Sequence, residues 1–401
     1  MNVSIPDNRC WALIDLDIIQ QNVKSLLRRI PNTSDLMAVV KADGYGHGIL
    51  PVAQACVQAG AKWLGTATLA EALTLRENGL AVPILVFGVT PPQCAQTLAN
   101  YQLTQVVPSL EYAEQLAQHL CPASSPLSVH LGVDTGMGRL GWWLQPDTIP
   151  TVCGDIQKIC QLPSLRAEGI MTQLSSARGT DPDAISYTEH QLRLFSQLCE
   201  ALTAQGITFR YQHVLNSGGI IHHSSTRSDI VRIGHLLYEP LPGSGHIGLR
   251  PAMELRATIA YVKTLPAGAC IGYGRTYQLP YPARIAVVNI GHCDGYPSLL
   301  SNRGIMLLHG RRVPVVGEVC MDQTMLDVSE VPEAAPGDIV TIVGQDGDDL
   351  LTTEDIDHQA GSLPDGPLSV YFTNRMTRCY KHGGRIINDT LMPLAEKESE
   401  E

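Results

Sequence analysis

The stretch LMAVVKADGYGHG, residues 36–48, begins as an apolar run that reaches Lys41 and continues as a segment with a glycine at positions 44, 46 and 48. The run LMAVV is typical of a strand that is buried on both faces, as in a parallel sheet. Lys41 and the glycine-rich turn then mark the end of this strand. A lysine there can extend its charge into water, or it can be a desolvated amine that attacks a carbonyl carbon. The rest of the chain decides between the two.

Seven further apolar runs follow, at intervals that leave room for a helix between most of them. They are KWLGTAT (62–68), PILVFGV (83–89), TQVVPS (104–109), LSVHLGVD (127–134), LRAEGIMTQL (165–174), FRYQHVLNS (209–217) and IVRIGHLLY (230–238). Helical patterns such as LAEALTLRENG (69–79) separate them, here with a terminal glycine typical of a helix end. Eight alternating strands predict an α/β fold, an N-terminal (β/α)8 TIM-type barrel over residues 11–243. A doubly wound open sheet is the alternative.

The pattern changes after residue 243. Five β-rich runs are separated by Pro, Gly and Asp turns: LRATIAYVKTL (255–265), RIAVVNIG (284–291), GIMLLHGRRVPVVG (304–317), TMLDV (324–328) and DIVTIVG (338–344). We therefore expect a mostly β C-terminal domain made of residues 1–10 and 244–391. Residues 392–401 are expected to be a flexible acidic tail.

Composition limits the classes of function. The net charge of −11 over 401 residues argues against nucleic acid or an anionic membrane as the main partner. The N-terminus has no apolar segment typical of a signal peptide, so we expect a cytoplasmic protein. Eleven scattered cysteines, without metal-ligand spacing, predict neither a disulfide framework nor a metal site.

Three of the expected strand ends carry reactive or polar residues, and ligands bind at this end of such barrels. Lys41 ends the first strand, Arg232 lies in the eighth, and HVLNSGG (213–219) follows the seventh. The hydroxyl of Ser217 and the neighbouring backbone N–H groups suit a phosphate group. A lysine amine near a phosphate site favours pyridoxal 5'-phosphate, whose aldehyde forms a Schiff base with lysine.

Six ordered motifs make the chain resemble bacterial alanine racemases, which are fold-type III pyridoxal 5'-phosphate enzymes. They are AVVKADGYGHG (38–48), VDTGMGRLG (133–141), LNSGG (215–219), IVRIG (230–234), GYGRTY (272–277) and VPVVGEVCMDQTMLDV (313–328). The resemblance implies a barrel followed by a β domain, and a homodimer whose active sites combine both chains. It also implies an isomerase that makes D-alanine for peptidoglycan precursors.

The resemblance assigns two catalytic residues. Lys41 falls on the lysine that carries the cofactor and acts as the base on one face of the substrate Cα. Tyr273 falls on the tyrosine that the partner subunit supplies as the base on the opposite face. A racemase needs two such groups, one protonated and one not. A tyrosine, with an ordinary pKa of ~10, is a poor base unless cations stabilise its phenolate.

Further cofactor contacts follow from the same resemblance. His213 and Arg232 match residues that form a relay to that tyrosine, and Arg232 also faces the pyridine nitrogen. A guanidinium cannot protonate this nitrogen, which leaves the cofactor a weaker electron sink and restrains side reactions. The implied phosphate site consists of Tyr45, Ser217, Gly234 and the backbone of His235.

Substrate contacts and departures from the family pattern lie close together. Arg139 matches an arginine that contacts the cofactor phenolic oxygen and the substrate carboxylate, and Met321 matches a residue whose backbone N–H holds that carboxylate across the dimer. Gly132 replaces a lysine, often carbamylated, that braces this arginine, so an anion, a water or another acid has to take that role. Gln173 and His292 replace a histidine and a tyrosine of the family.

Asp365 stands where the family has a tyrosine that limits side-chain space, although Tyr371 is a second possible match. A carboxylate there would favour a hydroxyl or an ammonium over a methyl group. The sequence therefore leaves open a serine, basic or broad-specificity amino-acid racemase. An amino-acid decarboxylase of the same fold type is disfavoured because Arg232 replaces the acid expected at the pyridine nitrogen. A non-catalytic homologue that binds the cofactor is the remaining alternative.

Overall fold

The computed structural model describes residues 9–123, 125–361 and 368–388. Within this part the chain divides into two compact units. The barrel unit comprises residues 19–44 and 49–250, and the β unit comprises residues 9–18, 45–48 and 251–388 as far as they are described. No helix of the described residues is long and apolar enough to cross a membrane.

Eight parallel strands, numbered first to eighth in chain order, form the barrel. They are Asp35–Val39, Trp63–Thr66, Ile84–Val86, Thr104–Val107, Leu127–Asp134, Leu165–Thr172, Tyr211–His213 and Ile230–Ile233. Each of the first six strands pairs in parallel with the strand that follows it. The short strand Trp142–Trp143 pairs in parallel with the fifth.

The sheet closes on itself. The eighth strand pairs in parallel with the first, with Val231 opposite Leu36. Between the seventh and eighth strands, the Asp229 N–H donates to the Gln212 carbonyl at 2.8 Å. This nearly complete barrel confirms the TIM-type prediction. It excludes a doubly wound sheet, in which the outer strands would stay unpaired.

Helices follow most of the strands. They are Leu16–Leu27, of which residues 19–27 belong to the barrel unit, and Ile49–Gln58, Leu69–Glu77, Ala95–Asn100, Leu110–Gln118, Ile149–Cys160, Pro182–Ala204 and Ser217–His222. Short 3-10 turns occupy Pro92–Cys94, His235–Leu237 and Gly245–Ile247. Thr68, Ser109 and Asp181 cap three of the helices by accepting a backbone N–H with their side chains.

The last two barrel strands are shorter than the sequence pattern predicts. The seventh ends at His213 because Asn216 caps the next helix, its Oδ1 accepting the Gly219 N–H at 2.9 Å. The eighth ends at Ile233 because the backbone of Gly234 leaves the extended conformation and enters a 3-10 turn. Asn216 and Ser217 therefore lie after the seventh strand and His235 lies after the eighth, whereas His213 and Arg232 remain within the strands.

The β unit is built around one long strand, Met253–Leu265, whose first seven residues alternate between buried and half-buried. The other strands are Cys10–Asp15, Cys270–Ile271, Tyr277–Gln278, Ala283–Val288, Ile305–Leu308, Arg311–Pro314, Thr324–Asp327, Ile339–Asp346, Asp349–Leu351, Thr377–His382 and Arg385–Asn388. The long strand pairs antiparallel with Cys10–Asp15, Ala283–Val288 and Ile339–Asp346. Among the described residues of this unit, the helix Thr353–Ala360 follows the strand Asp349–Leu351, and 3-10 turns occupy Tyr273–Arg275, Ser298–Leu300 and Leu368–Tyr371. The mostly β prediction for this part of the chain is confirmed.

Candidate active site at the carboxyl ends of the barrel strands

The chain makes a left-handed turn directly after the first barrel strand. Ala42, Asp43 and Gly44 have φ values of 52°, 53° and 63°. Two of these residues are not glycine, and each costs about 1–2 kcal/mol in this conformation. The Ala42 N–H donates to Glu71 Oε1 at 2.7 Å, which helps to hold the turn. The strained turn fixes the backbone at Lys41, where the side chain leaves the strand.

Glu71 connects this turn to the next barrel loop, a role that the sequence analysis missed. Its second oxygen accepts the Ala67 N–H at 2.8 Å and the Thr68 N–H at 3.2 Å. Thr68 Oγ1 accepts the Glu71 N–H in return, which completes a capping box. The spacing Thr68-x-x-Glu71 was a signal for this cap, although not for the contact with the lysine turn.

The Lys41 amine is half-buried and lies in a cationic environment. Burial lowers the pKa of Lys41, the charge of Arg139 lowers it further, and the charge of Glu71 acts in the opposite direction. A lowered pKa increases the neutral fraction of the amine at neutral pH. Only the neutral amine is a nucleophile, so this environment favours attack on an aldehyde.

Asp134 organises the loop that carries Arg139. Its Oδ1 accepts the backbone N–H groups of Gly136, Met137 and Gly138 at 2.9, 2.8 and 3.1 Å, and its Oδ2 accepts that of Arg139 at 2.8 Å. Burial alone would raise the pKa of Asp134, but these four hydrogen bonds outweigh it and lower the pKa. The carboxylate therefore fixes the backbone at Arg139.

Arg232 is the centre of a buried hydrogen-bond network. It is 3% exposed. Its Nη1 donates to His213 Nδ1 at 3.0 Å and to the His213 carbonyl at 2.9 Å. Its Nη2 donates to the Thr172 carbonyl at 2.7 Å, to Gln173 Oε1 at 3.1 Å and to the Val214 carbonyl at 3.3 Å. None of these acceptors is a carboxylate, so dipoles alone solvate this cation.

The charge of Arg232 affects its surroundings. Burial lowers the pKa of Arg232 to about 9, with a further contribution from Arg139. The guanidinium is thus still a cation at neutral pH. Burial and the charge of Arg232 together lower the pKa of His213 well below its ordinary value, so this histidine is neutral.

His130 extends the network away from Arg232, and the sequence analysis did not identify it. It lies in the fifth barrel strand, and its Nδ1 is 2.9 Å from His213 Nε2. The available signal was a histidine inside the apolar run LSVHLGVD. Burial lowers the pKa of His130 to about 3, with Arg232 as the second cause, so this ring is also neutral.

Three of the four expected phosphate residues, Ser217, Gly234 and His235, follow the last two barrel strands. The Gly234 N–H donates to Ser217 Oγ at 3.2 Å. His235 follows directly and its Nε2 is 2.5 Å from Glu239 Oε1. A hydroxyl and two consecutive backbone groups thus occupy one small region.

A cavity in the barrel unit lies beside Arg139 and is lined in part by Gly132 and Gln173. A Cβ at Gly132 would lie 3.2 Å from Val106 Cγ1, so even alanine would be tight there. Within the described residues, the Arg139 guanidinium has no hydrogen-bond or ion-pair partner.

Three predicted residues belong to the β unit. Tyr45 has a φ of 52°, and its carbonyl accepts the Ser369 hydroxyl at 2.6 Å. Tyr273 is 73% exposed and follows Gly272, whose φ is 71°. Met321 is 56% exposed.

The remaining substrate prediction concerns Asp365, which lies outside the described residues. Tyr371, the second possible match, is half-buried at the end of the 3-10 turn Leu368–Tyr371.

Within the barrel unit, the structure thus places seven of the predicted residues in or just after the first, fifth, seventh and eighth strands. They are Lys41, Arg139, His213, Ser217, Arg232, Gly234 and His235. Direct hydrogen bonds link Arg232 to His213 and Gly234 to Ser217, and electrostatic interactions link Arg139 to Lys41 and to Arg232.

Comparison with known sequences gives full-length matches. Residues 14–242 match the family described as "Alanine racemase, N-terminal domain", and residues 252–380 match "Alanine racemase, C-terminal domain". The chain is 38% identical to an alanine racemase of Desulfosudis oleivorans over 94% of this chain and 98% of the relative. It is 37% identical to an alanine racemase of Methanococcus maripaludis over 93% and 98%, respectively.

Solved structures agree with these matches. The alanine racemase from E. faecalis superposes with a TM-score of 0.86 at 34% identity, covering 95% of this chain and all of that one. The alanine racemase from Bacillus anthracis with bound L-Ala-P gives a TM-score of 0.87 at 29% identity, covering 96% and 99%.

Proposed function

The chain belongs to the alanine racemase family and is an amino-acid racemase, and from that premise we propose that it works with pyridoxal 5'-phosphate, with Lys41 and Tyr273 as its two bases. One observation carries the proposal. A half-buried lysine with a lowered pKa, a buried arginine and a hydroxyl next to a backbone N–H all occur at the carboxyl ends of strands in one barrel.

The residues of the barrel unit fit this cofactor. An aldehyde requires a neutral amine, and burial together with Arg139 lowers the pKa of Lys41. A phosphate requires donors, and Ser217 Oγ and the Gly234 N–H are within 3.2 Å of each other. When bound, pyridoxal 5'-phosphate supplies an electron sink that makes the substrate Cα–H acidic.

The electrostatics of the barrel favour proton transfer at Lys41 Nζ. Arg139 favours the neutral amine, which can accept a proton, whereas Glu71 favours the charged form. Burial, the largest cause, also favours the neutral amine, so the pKa of Lys41 is lowered overall, which suits a group that accepts a proton from the substrate and later returns it. Arg232 does not exchange a proton with the substrate; it stays a cation that donates hydrogen bonds from a fixed position.

Tyr273 would serve the opposite face of the substrate. Its side chain is 73% exposed within one chain, and Met321, the expected carboxylate contact, is 56% exposed. Such exposure supports a homodimer in which each chain supplies these residues to the site of its partner. A phenol and an amine on opposite faces let a proton leave one face and return to the other.

Alanine is the proposed substrate. The relative from Bacillus anthracis was solved with bound L-Ala-P, and the curated relatives carry the name alanine racemase. A wider preference for serine or basic amino acids depends on Asp365 and stays a prediction from the sequence.

A chiral assay with added pyridoxal 5'-phosphate tests the proposal. The purified chain is incubated with each L- and D-amino acid, and the enantiomers are separated. We expect L-alanine and D-alanine to reach the same equimolar mixture from either side. An enzyme that leaves alanine unchanged but racemises serine or lysine would overturn the substrate, and one that racemises nothing would overturn the activity.

A further inference from the structure

The buried network around Arg232 does not end at His213. His130 Nδ1 lies 2.9 Å from His213 Nε2, and both histidines are fully buried. The other ring nitrogen of His130, Nε2, has no hydrogen-bond partner in the described residues. The carboxylate of Glu168 is 3.9 Å from this nitrogen. A buried polar atom without a partner is costly, so its position calls for an explanation.

The direction of each hydrogen bond from Arg232 through His213 to His130 follows from the chemistry of the arginine. A guanidinium only donates, so His213 Nδ1 must accept from Arg232. Because the ring is neutral, His213 carries its proton on Nε2 and donates it to His130 Nδ1. His130 in turn carries its proton on Nε2, where it points toward Glu168. The anion at the far end matches this direction.

The packing of the surrounding residues restricts the His130 ring to one position. A Cβ at Gly169 would lie 2.6 Å from His130 Cδ2, so only glycine leaves room for the ring there. The Trp63 and Tyr211 rings lie 5.4 and 5.9 Å from that of His130 between centroids. The pairing of the fifth and sixth strands shifts at this point, which makes Glu168 the extra residue. A bulge of this kind redirects a side chain.

We propose that His130 is a positioning residue for the racemase reaction: it accepts the His213 Nε2–H, is oriented by Glu168, and so holds the His213 ring that receives Arg232. The inference rests on the proposed function in one respect, the role of Arg232 beside the cofactor. Loss of the acceptor at position 130 would leave the His213 Nε2–H buried without a partner, and the ring would be free to tilt away from Arg232.

Both histidines stay neutral in this arrangement. Burial is the main reason that the pKa of each lies below its ordinary value, and the charge of Arg232 is the second. The other carboxylate oxygen of Glu168 forms an ion pair with Arg166, whose Nε is 3.4 Å away. The chain of contacts therefore runs from the cation Arg232 through two neutral histidine rings to the carboxylate of Glu168.

Nitrogen-15 NMR of the cofactor-free protein tests the geometry without any activity measurement. In the wild-type chain we expect the His213 proton on Nε2, protected from exchange with water, and Nδ1 unprotonated. His130→Asn keeps an acceptor close to the position of Nδ1, so the protected proton should persist. His130→Leu removes the acceptor, and the proton should exchange rapidly. A wild-type protein with the proton on Nδ1, or with an unprotected Nε2–H, would overturn the inference.

Kinetics of the cofactor-loaded enzyme test the consequence for the reaction. We expect His130→Leu to lower kcat about tenfold with KM unchanged, because a buried donor is left unpaired near Arg232. His130→Asn should restore most of kcat. Leu131→Ala, on the same strand, makes a cavity without touching the network and serves as the control for general loss of packing.

The outcomes separate the two proposals. If His130→Leu and Leu131→Ala have the same kcat, His130 only packs and the inference is wrong. If the wild-type chain racemises nothing, the proposed function is wrong, while the NMR result still decides whether the network exists.

Discussion

The surroundings of Arg232 and of Tyr273 differ in almost every respect. Arg232 is 3% exposed and donates five hydrogen bonds inside the barrel. Tyr273 is 73% exposed on a short turn between Gly272 and Gly274, whose φ values are 71° and 64°. Arg232 is thus held in place by hydrogen bonds within its own chain, whereas the side chain of Tyr273 is largely exposed.

This difference teaches that the two halves of the proposed site are built by different means. The barrel interior organises its charges with backbone carbonyls and neutral histidines, so its residues serve the fold as well as the proposed chemistry. The Tyr273 turn holds its side chain between positive-φ glycines with little packing, so we expect this residue to serve the proposed chemistry alone. Substitutions in the first region should change stability, and those in the second should not.

The largest effect is expected at Lys41, which lies between these extremes because it is half-buried. Lys41→Ala should abolish turnover and the visible absorbance of bound cofactor, because no other amine is proposed to hold the aldehyde. Because Lys41 is half-buried, the free energy of unfolding of this variant should fall by about 1 kcal/mol, less than for a fully buried residue. Lys41→Arg, which keeps the charge, is the control. Racemisation at the wild-type rate by either variant would contradict the assignment.

Tyr273→Phe should come next. Removal of one hydroxyl should lower kcat for alanine racemisation by about 10²–10⁴-fold, the range for a general acid or base. Because the side chain is exposed, urea unfolding should match that of the wild type. A variant with full activity would remove Tyr273 from the mechanism, and one that is unstable would break the distinction between the two regions.

Arg232→Lys sharpens the contrast from the other side. An ammonium keeps the charge but cannot reach the five acceptors, so the free energy of unfolding should fall by about 3–5 kcal/mol. Arg139→Lys is the matched control, because that side chain is exposed and the change should stay within about 0.5 kcal/mol. Equal urea midpoints for the two variants would contradict the account.

Asp134→Asn should lower the free energy of unfolding by about 1–2 kcal/mol, less than Arg232→Lys, since an amide still accepts hydrogen bonds but lacks the charge. The pKa of Asp134 is lower in the folded than in the unfolded chain. Its contribution is therefore present above about pH 4 and is lost as the pH falls through the folded pKa. The difference in unfolding free energy between wild type and variant should be largest at neutral pH and shrink in acid. A difference that does not depend on pH would contradict this explanation.

Much of the fold could be predicted from the sequence because each buried strand is a short apolar run that ends at a polar residue. Lys41 was singled out for that reason, since residues at the ends of parallel strands share one face of the barrel. Arg232 lies within the eighth strand, and its expected role came from the family resemblance. The prediction of the seventh strand as FRYQHVLNS was too long, because the capping role of Asn216 competes with strand extension.

His130 and Glu71 could not be assigned in the same way. His130 reads as part of an apolar strand, and its role depends on His213, 83 residues away, and on a shift in strand pairing beside Gly169. The capping box predicts a helix that begins after Thr68, but not the contact of Glu71 with Ala42 across the strand ends. Interactions set by the register between strands leave little trace in local patterns.

The central claim is that Lys41 and Tyr273 serve opposite faces of the substrate, and hydrogen exchange in deuterium oxide tests it most directly. Tyr273→Phe is loaded with pyridoxal 5'-phosphate and mixed with L-alanine or D-alanine, and loss of the Cα–H signal is followed by proton NMR. The account predicts that one enantiomer exchanges its Cα–H without inversion through Lys41, while the other does not exchange. Equal exchange of both enantiomers, or racemisation at the wild-type rate, would contradict it.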